Sequence, residues 1–181
     1  DSPYILSVGT LEPRKNLLIL LRAFNLLPPS VQHKYQLVFA GKKGWHQRKF
    51  TKYLKLYEAK SQVKILGYVP RQDLAHLYAG AEVLAFPSHY EGFGLPLLEA
   101  MSAGCPVIAC RTAAIQEVAS SAGLLLPPLS SAEDWSKSLS QVLESSSLKE
   151  NLRMAGFDQA QKFSWDSCVR KTTEVLHSIG Q

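Results

Sequence analysis

Two carboxylates that flank a glycine-bracketed turn are the side chains of this sequence best placed to do chemistry. Glu91 precedes the turn at residues 92–94, and Glu99 follows it, eight positions along the chain. An apolar segment over residues 83–87 comes before the turn, and a helix with a proline in its first turn is predicted after it. A glycine turn between a strand and a helix N-terminus presents free N–H groups to phosphate. Because carboxylates suit the hydroxyl-rich groups on either side of a phosphate, the pattern predicts a sugar nucleotide as the ligand.

The N–H donors to that phosphate are expected near Phe93, Gly94 and Leu95, because Pro96 carries no N–H group. The two glutamates would be repelled by phosphate, so we expect them to accept hydrogen bonds from a ribose diol or from sugar hydroxyls. Without the two glycines of the turn, a solvated glutamate and a loop-capping glutamate would be the preferred interpretation, because surface glutamates are common.

A second candidate segment, from Gly9 to Asn16, connects the first predicted strand to a helix. Gly9 allows close approach to the backbone, and Arg14 and Lys15 stand at the helix entry. A cation at the N-terminus of a helix is repelled by the positive end of the helix dipole, unless both bind the same anion. A guanidinium fork beside an ammonium group suits a diphosphate, although an exposed loop with two chance basic residues stays open. The segment matches neither the dinucleotide-binding glycine fingerprint nor the P-loop.

Short apolar segments alternate with helical patterns along the whole chain. Strands are predicted over residues 4–8, 35–40, 63–66, 82–87, 106–110 and 123–126, and helices over 16–27, 45–59, 71–78, 95–103, 113–119, 132–144, 148–162 and 165–179. This alternation predicts one α/β domain over residues 1–181, with a Rossmann-like doubly wound parallel sheet. Ligands bind beyond the carboxyl ends of such strands, so one crevice should be lined by residues 9–15, 41–44, 67–70 and 88–94.

The composition is that of a soluble globular domain. No apolar run approaches the roughly 20 residues that span a bilayer, and the chain begins in a strand without an initiator Met, so we expect a piece of a longer protein. The three cysteines form no C-x-x-C pair, which favours a reducing, cytoplasmic location and gives no support for a metal site. Because no Asp-x-Asp is present, we expect no metal, with cations and helix amides neutralising the diphosphate.

The net charge is +5, and basic residues cluster in one stretch of the sequence. A solvated helix face is the interpretation that base rates favour, and peripheral contact with the inner face of a membrane is the second. A nucleic-acid partner is not expected, because no nucleic-acid-binding motif accompanies the charge. The clustered residues are Lys42, Lys43, Arg48, Lys49, Lys52, Lys55, Lys60 and Lys64.

Taken together, the motifs resemble the C-terminal domain of GT-B glycosyltransferases, specifically glycosyltransferase family 4. The likeness covers nearly the whole chain, and its parts occur in the family's order and spacing. The segments that carry it are residues 8–16, 37–41, 66–70, 91–96, 99–101, 104–109 and 163–165.

The resemblance implies a retaining hexosyltransferase that uses a nucleotide-diphospho-sugar, with Glu91, Arg14 and Lys15 as its catalytic residues. Arg14 and Lys15 would hold the diphosphate, and Glu99 the ribose. Glu91 and the nearby amides would hold the sugar and the distal phosphate. The implied donor-binding residues are Gly9, Arg14, Lys15, Gly67, Tyr68, Val69, Glu91, Gly92, Phe93, Gly94, Leu95 and Glu99, of which Gly67, Tyr68 and Val69 would line the base.

The resemblance also favours mannose transfer from GDP-mannose, with a UDP-hexose as the other donor, to a glycan or lipid-linked acceptor in surface polysaccharide synthesis. No further cofactor is expected. The family's acceptor-binding N-terminal domain is absent from this chain, so the fragment should bind donor weakly and transfer nothing by itself. A non-catalytic GT-B-like nucleotide-binding module and a sugar-nucleotide epimerase of the same fold stay open as alternatives.

Overall fold

A computed structural model describes residues 2–45, 48–58 and 62–179. The described residues form one six-stranded sheet in which every neighbouring pair of strands is parallel. The strands are β1 (Tyr4–Val8), β2 (Gln36–Ala40), β3 (Val63–Gly67), β4 (Val83–Phe86), β5 (Val107–Cys110) and β6 (Leu124–Leu126). Their order in the sheet is β3-β2-β1-β4-β5-β6, which is the order of a doubly wound Rossmann-like sheet.

Helices cover both faces of this sheet, because alternate residues of each strand point to opposite sides. Ile5 and Leu37 pack with the helices at 17–25, 48–58 and 132–144, whereas Leu6 and Val38 pack with those at 71–80, 95–102 and 113–119. Burial of each such aliphatic side chain contributes about 1.5–3 kcal/mol to folding. The helices are α1 (Leu17–Asn25), α2 (Pro29–Lys34), α3 (Arg48–Glu58), α4 (Arg71–Gly80), α5 (Leu95–Ser102), α6 (Ala113–Ala119), α7 (Ala132–Glu144), α8 (Ser146–Ala160) and α9 (Trp165–Ile179).

The predicted fold class is confirmed, and the differences are one missed helix and several element ends. The first helix was predicted to begin at Asn16, but a 3-10 turn (Pro13–Lys15) comes first and Asn16 adopts φ +50°. Helix α2 was not predicted, although Pro29 at its first position fits a helix start. The helix predicted over 45–59 corresponds to α3 (Arg48–Glu58): Trp45 lies in a bend and not in a helix, and residues 46, 47 and 59 lie outside the described residues.

The order of the strands reverses between β1 and β4, which are hydrogen-bonded neighbours. Loops that follow these two strands leave the sheet at the same edge and diverge to helices on opposite faces. This switch point is where an open α/β sheet offers a crevice to a ligand.

None of the residues of α9 is buried, so this helix presents side chains to solvent all round. Among the described residues, no helix combines the length and the apolar character needed to cross a bilayer.

Candidate donor-binding site at the switch point

The loops after β1 and β4 meet at the switch point. The His89 N–H donates a hydrogen bond of 2.8 Å to the Arg14 carbonyl, which ties the second loop to the first. Gly9 has φ +139°, and a Cβ at this position would lie 3.1 Å from Lys15 Cε and 3.2 Å from Lys15 Nζ. The glycine therefore makes room for the Lys15 side chain to cross the end of β1.

Lys15 forms a buried ion pair with Glu91. Its Nζ lies 2.6 Å from Glu91 Oε1, and the two side chains are only 7% and 9% exposed. The same ammonium group lies 4.9 Å from the centroid of the Phe86 ring, a cation–π contact. Because a buried charge without a counter-ion is costly, each group of this pair needs either its present partner or another group with that partner's charge.

Arg14 holds the second oxygen of Glu91 from the solvent side. Its Nη1 donates to Glu91 Oε2 and to the Tyr90 carbonyl, each at 3.1 Å, and its side chain is 43% exposed. Its Nε pairs with the carboxylate of Glu12, whose side chain is buried. Arg14 is thus the cation of the cluster that a ligand in the crevice can reach.

The charge state of Glu91 reflects two opposed effects. Burial alone would raise the pKa of its carboxyl group, but the hydrogen bonds from Lys15, Ser88 and Arg14 and the charge of Lys15 outweigh burial. The net result is a pKa below the ordinary value of 4.5, so Glu91 is ionised at neutral pH.

Backbone N–H groups are available beside this carboxylate, at the start of α5. Gly94 has φ +107° and caps the helix. Within the described parts of the chain, the N–H groups of residues 92–95 make no hydrogen bond. A Cβ added at Gly92 would meet nothing within 4 Å. Free N–H groups at a helix N-terminus next to open space can donate hydrogen bonds to an anion.

Glu99 lies in the second turn of α5 and is held by a different kind of partner. The hydroxyl of Tyr78, at the end of α4, donates to Glu99 Oε2 at 3.0 Å. Tyr78 is 2% exposed. Burial, followed by the charge of Glu99, raises the pKa of the phenol well above its usual range. The phenol therefore remains a hydrogen-bond donor at any physiological pH and fixes one carboxylate oxygen.

The loop predicted to line the base lies at the same sheet edge but to one side. It follows β3, which is separated from β1 by β2, so it lies roughly 10 Å from the switch point. Gly67 has φ +71°, and the exposed ring of Tyr68 is covered by Lys42 Nζ at 5.0 Å. The role of Gly67, Tyr68 and Val69 in binding stays a prediction.

The loop at residues 41–44, predicted to line the crevice, supports the first loop. A Cβ at Gly41 would lie 2.0 Å from the Gly9 carbonyl oxygen, and one at Gly44 would lie 2.5 Å from the Leu11 carbonyl oxygen. The Leu11 N–H also donates to the Lys42 carbonyl at 2.9 Å. These glycines are explained by backbone packing, which places Gly9 and Lys15 on a rigid base.

Sequence reasoning missed two residues of the cluster, Glu12 and Tyr78. The sequence offers no signal for Tyr78, which looks like any aromatic core residue of a short helix. Glu12 is marked only by its place two residues before Arg14. Among the described residues, no group of three or more His, Cys, Asp or Glu side chains has the geometry of a metal site.

The fold and these contacts define a class of protein. This is a Rossmann-like α/β domain with cations, free N–H groups and a fixed carboxylate at its switch point, an arrangement suited to a nucleotide. Residues 1–159 match the model of the family described as glycosyl transferases group 1. The chain therefore belongs to this family, and the resemblance drawn from the motifs is confirmed.

Individual relatives agree with this assignment. The O-antigen chain mannosyltransferase B of Escherichia coli is 40% identical over 169 residues, which are 93% of this chain and 44% of the relative. The structure of WaaG, a glycosyltransferase involved in lipopolysaccharide biosynthesis, superposes with a TM-score of 0.82 at 26% identity, covering 96% of this chain and 46% of WaaG. The fold is thus that of a GT-B glycosyltransferase domain.

A third match extends the structural likeness. HepE of Anabaena, in a structure with UDP-glucose, has a TM-score of 0.84 at 22% identity, over 98% of this chain and 49% of HepE. At that identity the match shows the fold alone. The chain spans about half the length of each of these proteins.

Proposed function

We propose that this chain is the donor-binding domain of a retaining hexosyltransferase and that the switch-point crevice holds a nucleotide-diphospho-sugar. The observation that carries the proposal is the meeting of Arg14, Lys15 and Glu91 beside the free N–H groups of residues 92–95. Two cations and a helix N-terminus together favour a ligand with more than one negative charge.

The diphosphate lies between Arg14 and the start of α5. Arg14 is the solvent-facing cation, and Lys15 supplies a second positive charge from its buried position. The amides of Gly92, Phe93, Gly94 and Leu95 bind the distal phosphate. In catalysis these groups stabilise the negative charge that develops on the departing diphosphate, without a proton transfer.

The hydroxyl-bearing parts of the donor lie on either side. Glu99 accepts hydrogen bonds from the ribose diol, and the hydrogen bond from Tyr78 keeps its carboxylate in one orientation. Glu91 contacts the hydroxyls of the sugar that is transferred. Gly67, Tyr68 and Val69 line the base at the side of the crevice.

The sugar favoured by the comparisons is mannose. The relative with 40% identity is a mannosyltransferase, which favours mannose and GDP-mannose as the donor and a surface polysaccharide as the product. A UDP-hexose is the second candidate, since a neighbour with the same fold is described with UDP-glucose.

The acceptor is a glycan or lipid-linked sugar, bound by an N-terminal domain outside this chain. The surface of α9 supports a second domain, because Trp165, Val169, Leu176 and Ile179 are exposed at spacings of three, four and seven residues. Such spacings place these side chains on one face of the helix, which suits a partner surface. Without that domain, the fragment binds donor weakly and transfers no sugar.

A peripheral membrane contact is the further partner that the surface suits, at the cytoplasmic face. Lys49, Lys52 and Lys55 are exposed on α3, near exposed Trp45 and Leu56. Lysines with interspersed apolar groups favour anionic lipid. Of the predicted basic cluster, Lys60 lies outside the described residues. Sedimentation with phosphatidylglycerol vesicles tests the contact, and equal recovery with phosphatidylcholine vesicles would contradict it.

Calorimetric titration of the chain with GDP, UDP and ADP, and with their hexose conjugates, tests the donor site without added metal. Saturable binding of one nucleoside diphosphate is expected and names the base. If a folded sample and the full-length protein both bind none, the donor-site proposal is wrong. Full-length protein that converts the donor to an epimer instead of transferring its sugar would support the epimerase alternative.

A further inference from the structure

We propose that Glu91 is an internal competitor of the diphosphate: binding of the diphosphate takes Arg14 and Lys15 from Glu91 and releases its carboxylate to the sugar hydroxyls. This inference rests on the donor site proposed above. It adds an exchange of partners that links binding of the diphosphate to recognition of the sugar.

The guanidinium of Arg14 is the first reason for competition. Phosphate is held most strongly when two neighbouring N–H groups of arginine donate in parallel. In the contacts of the described residues, Nε pairs with Glu12, and Nη1 serves both Glu91 Oε2 and the Tyr90 carbonyl. The two pairs of N–H groups that could bind phosphate in parallel are Nε with Nη2 and Nη1 with Nη2. Each pair contains one of these engaged nitrogens, so a bidentate phosphate must displace one of the present partners.

Lys15 is the second reason. Its ammonium lies 2.6 Å from Glu91 Oε1, and both side chains are almost fully buried. A diphosphate close enough to use this charge would lie next to the carboxylate, and like charges at that range repel. Removal of Glu91 from Lys15 leaves no unpaired buried cation, because the diphosphate replaces the carboxylate as the counter-ion.

Glu91, rather than Glu12, is the carboxylate that moves. The Glu12 side chain is 4% exposed and belongs to the same tight turn as Arg14. Glu91 lies in the loop after β4, where Tyr90 and Gly92 are exposed. Within the described parts of the chain, no N–H group of residues 90–94 donates a hydrogen bond that would fix the loop. Apart from the hydroxyl of Ser88, which belongs to the same loop, the carboxylate is held by the two cations that the diphosphate takes over.

The test compares GDP and UDP with GDP-mannose and UDP-glucose in calorimetric titrations of the Glu91→Gln variant. Removal of the competing charge should tighten binding of the nucleoside diphosphate by about fivefold, the size of the contact between Glu91 and the partly exposed Arg14. The hexose conjugate should gain less or lose affinity, because the variant no longer offers a carboxylate to the sugar. The advantage of the conjugate over the nucleoside diphosphate should therefore fall.

Three results separate this inference from its alternatives. Weaker binding of both ligands would mean that Glu91 only supports the fold of the loop, and equal tightening of both would mean that its charge acts from a distance; either result overturns the exchange. Glu117→Gln, which removes an exposed carboxylate of α6, is the matched control and should change neither affinity. If neither the unaltered chain nor the full-length protein binds nucleotide, the donor-site proposal fails instead.

A structure of the unaltered chain with the tighter-binding nucleoside diphosphate gives a second, independent measurement if the variant does not fold. The exchange predicts that Lys15 Nζ and Glu91 Oε1 lie beyond hydrogen-bond distance in that complex. A separation that stays at 2.6 Å, with the diphosphate on Arg14, would overturn the inference.

Discussion

Glu91 and Glu99 flank the start of α5, but their surroundings differ. Glu91 is held by two cations, Lys15 and Arg14, that come from another loop. Glu99 is held by the neutral hydroxyl of Tyr78, which is buried and cannot leave without disturbing the packing of α4. A carboxylate held by cations can be displaced by another anion, whereas one held by a buried phenol keeps its position.

This difference suits two tasks within one ligand. The part of the site that receives the diphosphate must replace one anion with another, and its ion pairs lie where that exchange is possible. The part that receives the ribose has only to present a fixed acceptor to two hydroxyls. The two halves of the site can therefore be tested separately by substitution.

Loss of the Lys15 charge should have the largest effect on stability. Lys15→Met keeps most of the side-chain volume but leaves Glu91 buried without its main counter-ion, which costs about 3–5 kcal/mol of unfolding free energy. Urea denaturation measures the change. Lys149→Met is the matched control: it breaks an ion pair of the same 2.6 Å length whose side chains are 25% and 32% exposed, so its cost should stay below about 1 kcal/mol. Equal costs would show that the Lys15 pair is not buried in solution.

Tyr78→Phe should weaken the ribose half of the site by a smaller amount. The variant removes a hydrogen bond to a charged group, worth about 1.5–3 kcal/mol, and frees the Glu99 carboxylate to rotate. Preference for GDP over 2′-deoxy-GDP should fall, as measured by calorimetry. Tyr4→Phe, which removes a hydrogen bond of 2.7 Å to the Leu77 carbonyl, should leave that preference unchanged. An unchanged preference in Tyr78→Phe would separate Tyr78 from ribose binding.

The pH dependence of stability should distinguish Glu91 by a modest effect. Its pKa is lowered on folding, so its contribution is fully present above its ordinary pKa of 4.5 and is lost as the pH falls through the lower, folded value. The stability difference between the unaltered chain and Glu91→Gln, from urea unfolding between about pH 3 and 6, should therefore shrink below that ordinary pKa. A difference that grows towards acid would contradict the assigned shift.

The sequence was sufficient for the fold because the relevant signals are local. Apolar segments in alternation with amphipathic ones determine a parallel sheet, and the helices at 113–119, 132–144 and 165–179 have their predicted bounds. The prediction that Arg14, Lys15 and Glu91 lie together followed from strand ends that share one edge. It needed no knowledge of side-chain packing.

The partners of the charged groups were beyond the sequence. The contact between Lys15 and Glu91 joins residues 76 positions apart, and the hydrogen bond from Tyr78 to Glu99 joins two helices. Such contacts depend on how the two loops and α4 pack, which no local pattern encodes. The sequence therefore named the charged side chains but not the ion pairs that set their roles.

The most direct measurement of the central claim is the affinity of the Arg14→Gln variant for GDP and UDP. Arg22→Gln is the control with the same change of charge. It removes a guanidinium of α1 that lies over the ring of Tyr53 on α3. Arg14→Gln should lower the melting temperature, because the buried carboxylate of Glu12 loses its counter-ion, so the titrations are made where circular dichroism shows both variants to be folded. If the switch point holds the diphosphate, folded Arg14→Gln should bind about 10–100-fold more weakly, and Arg22→Gln should bind normally. Equal affinities in the two variants would contradict a diphosphate site at Arg14.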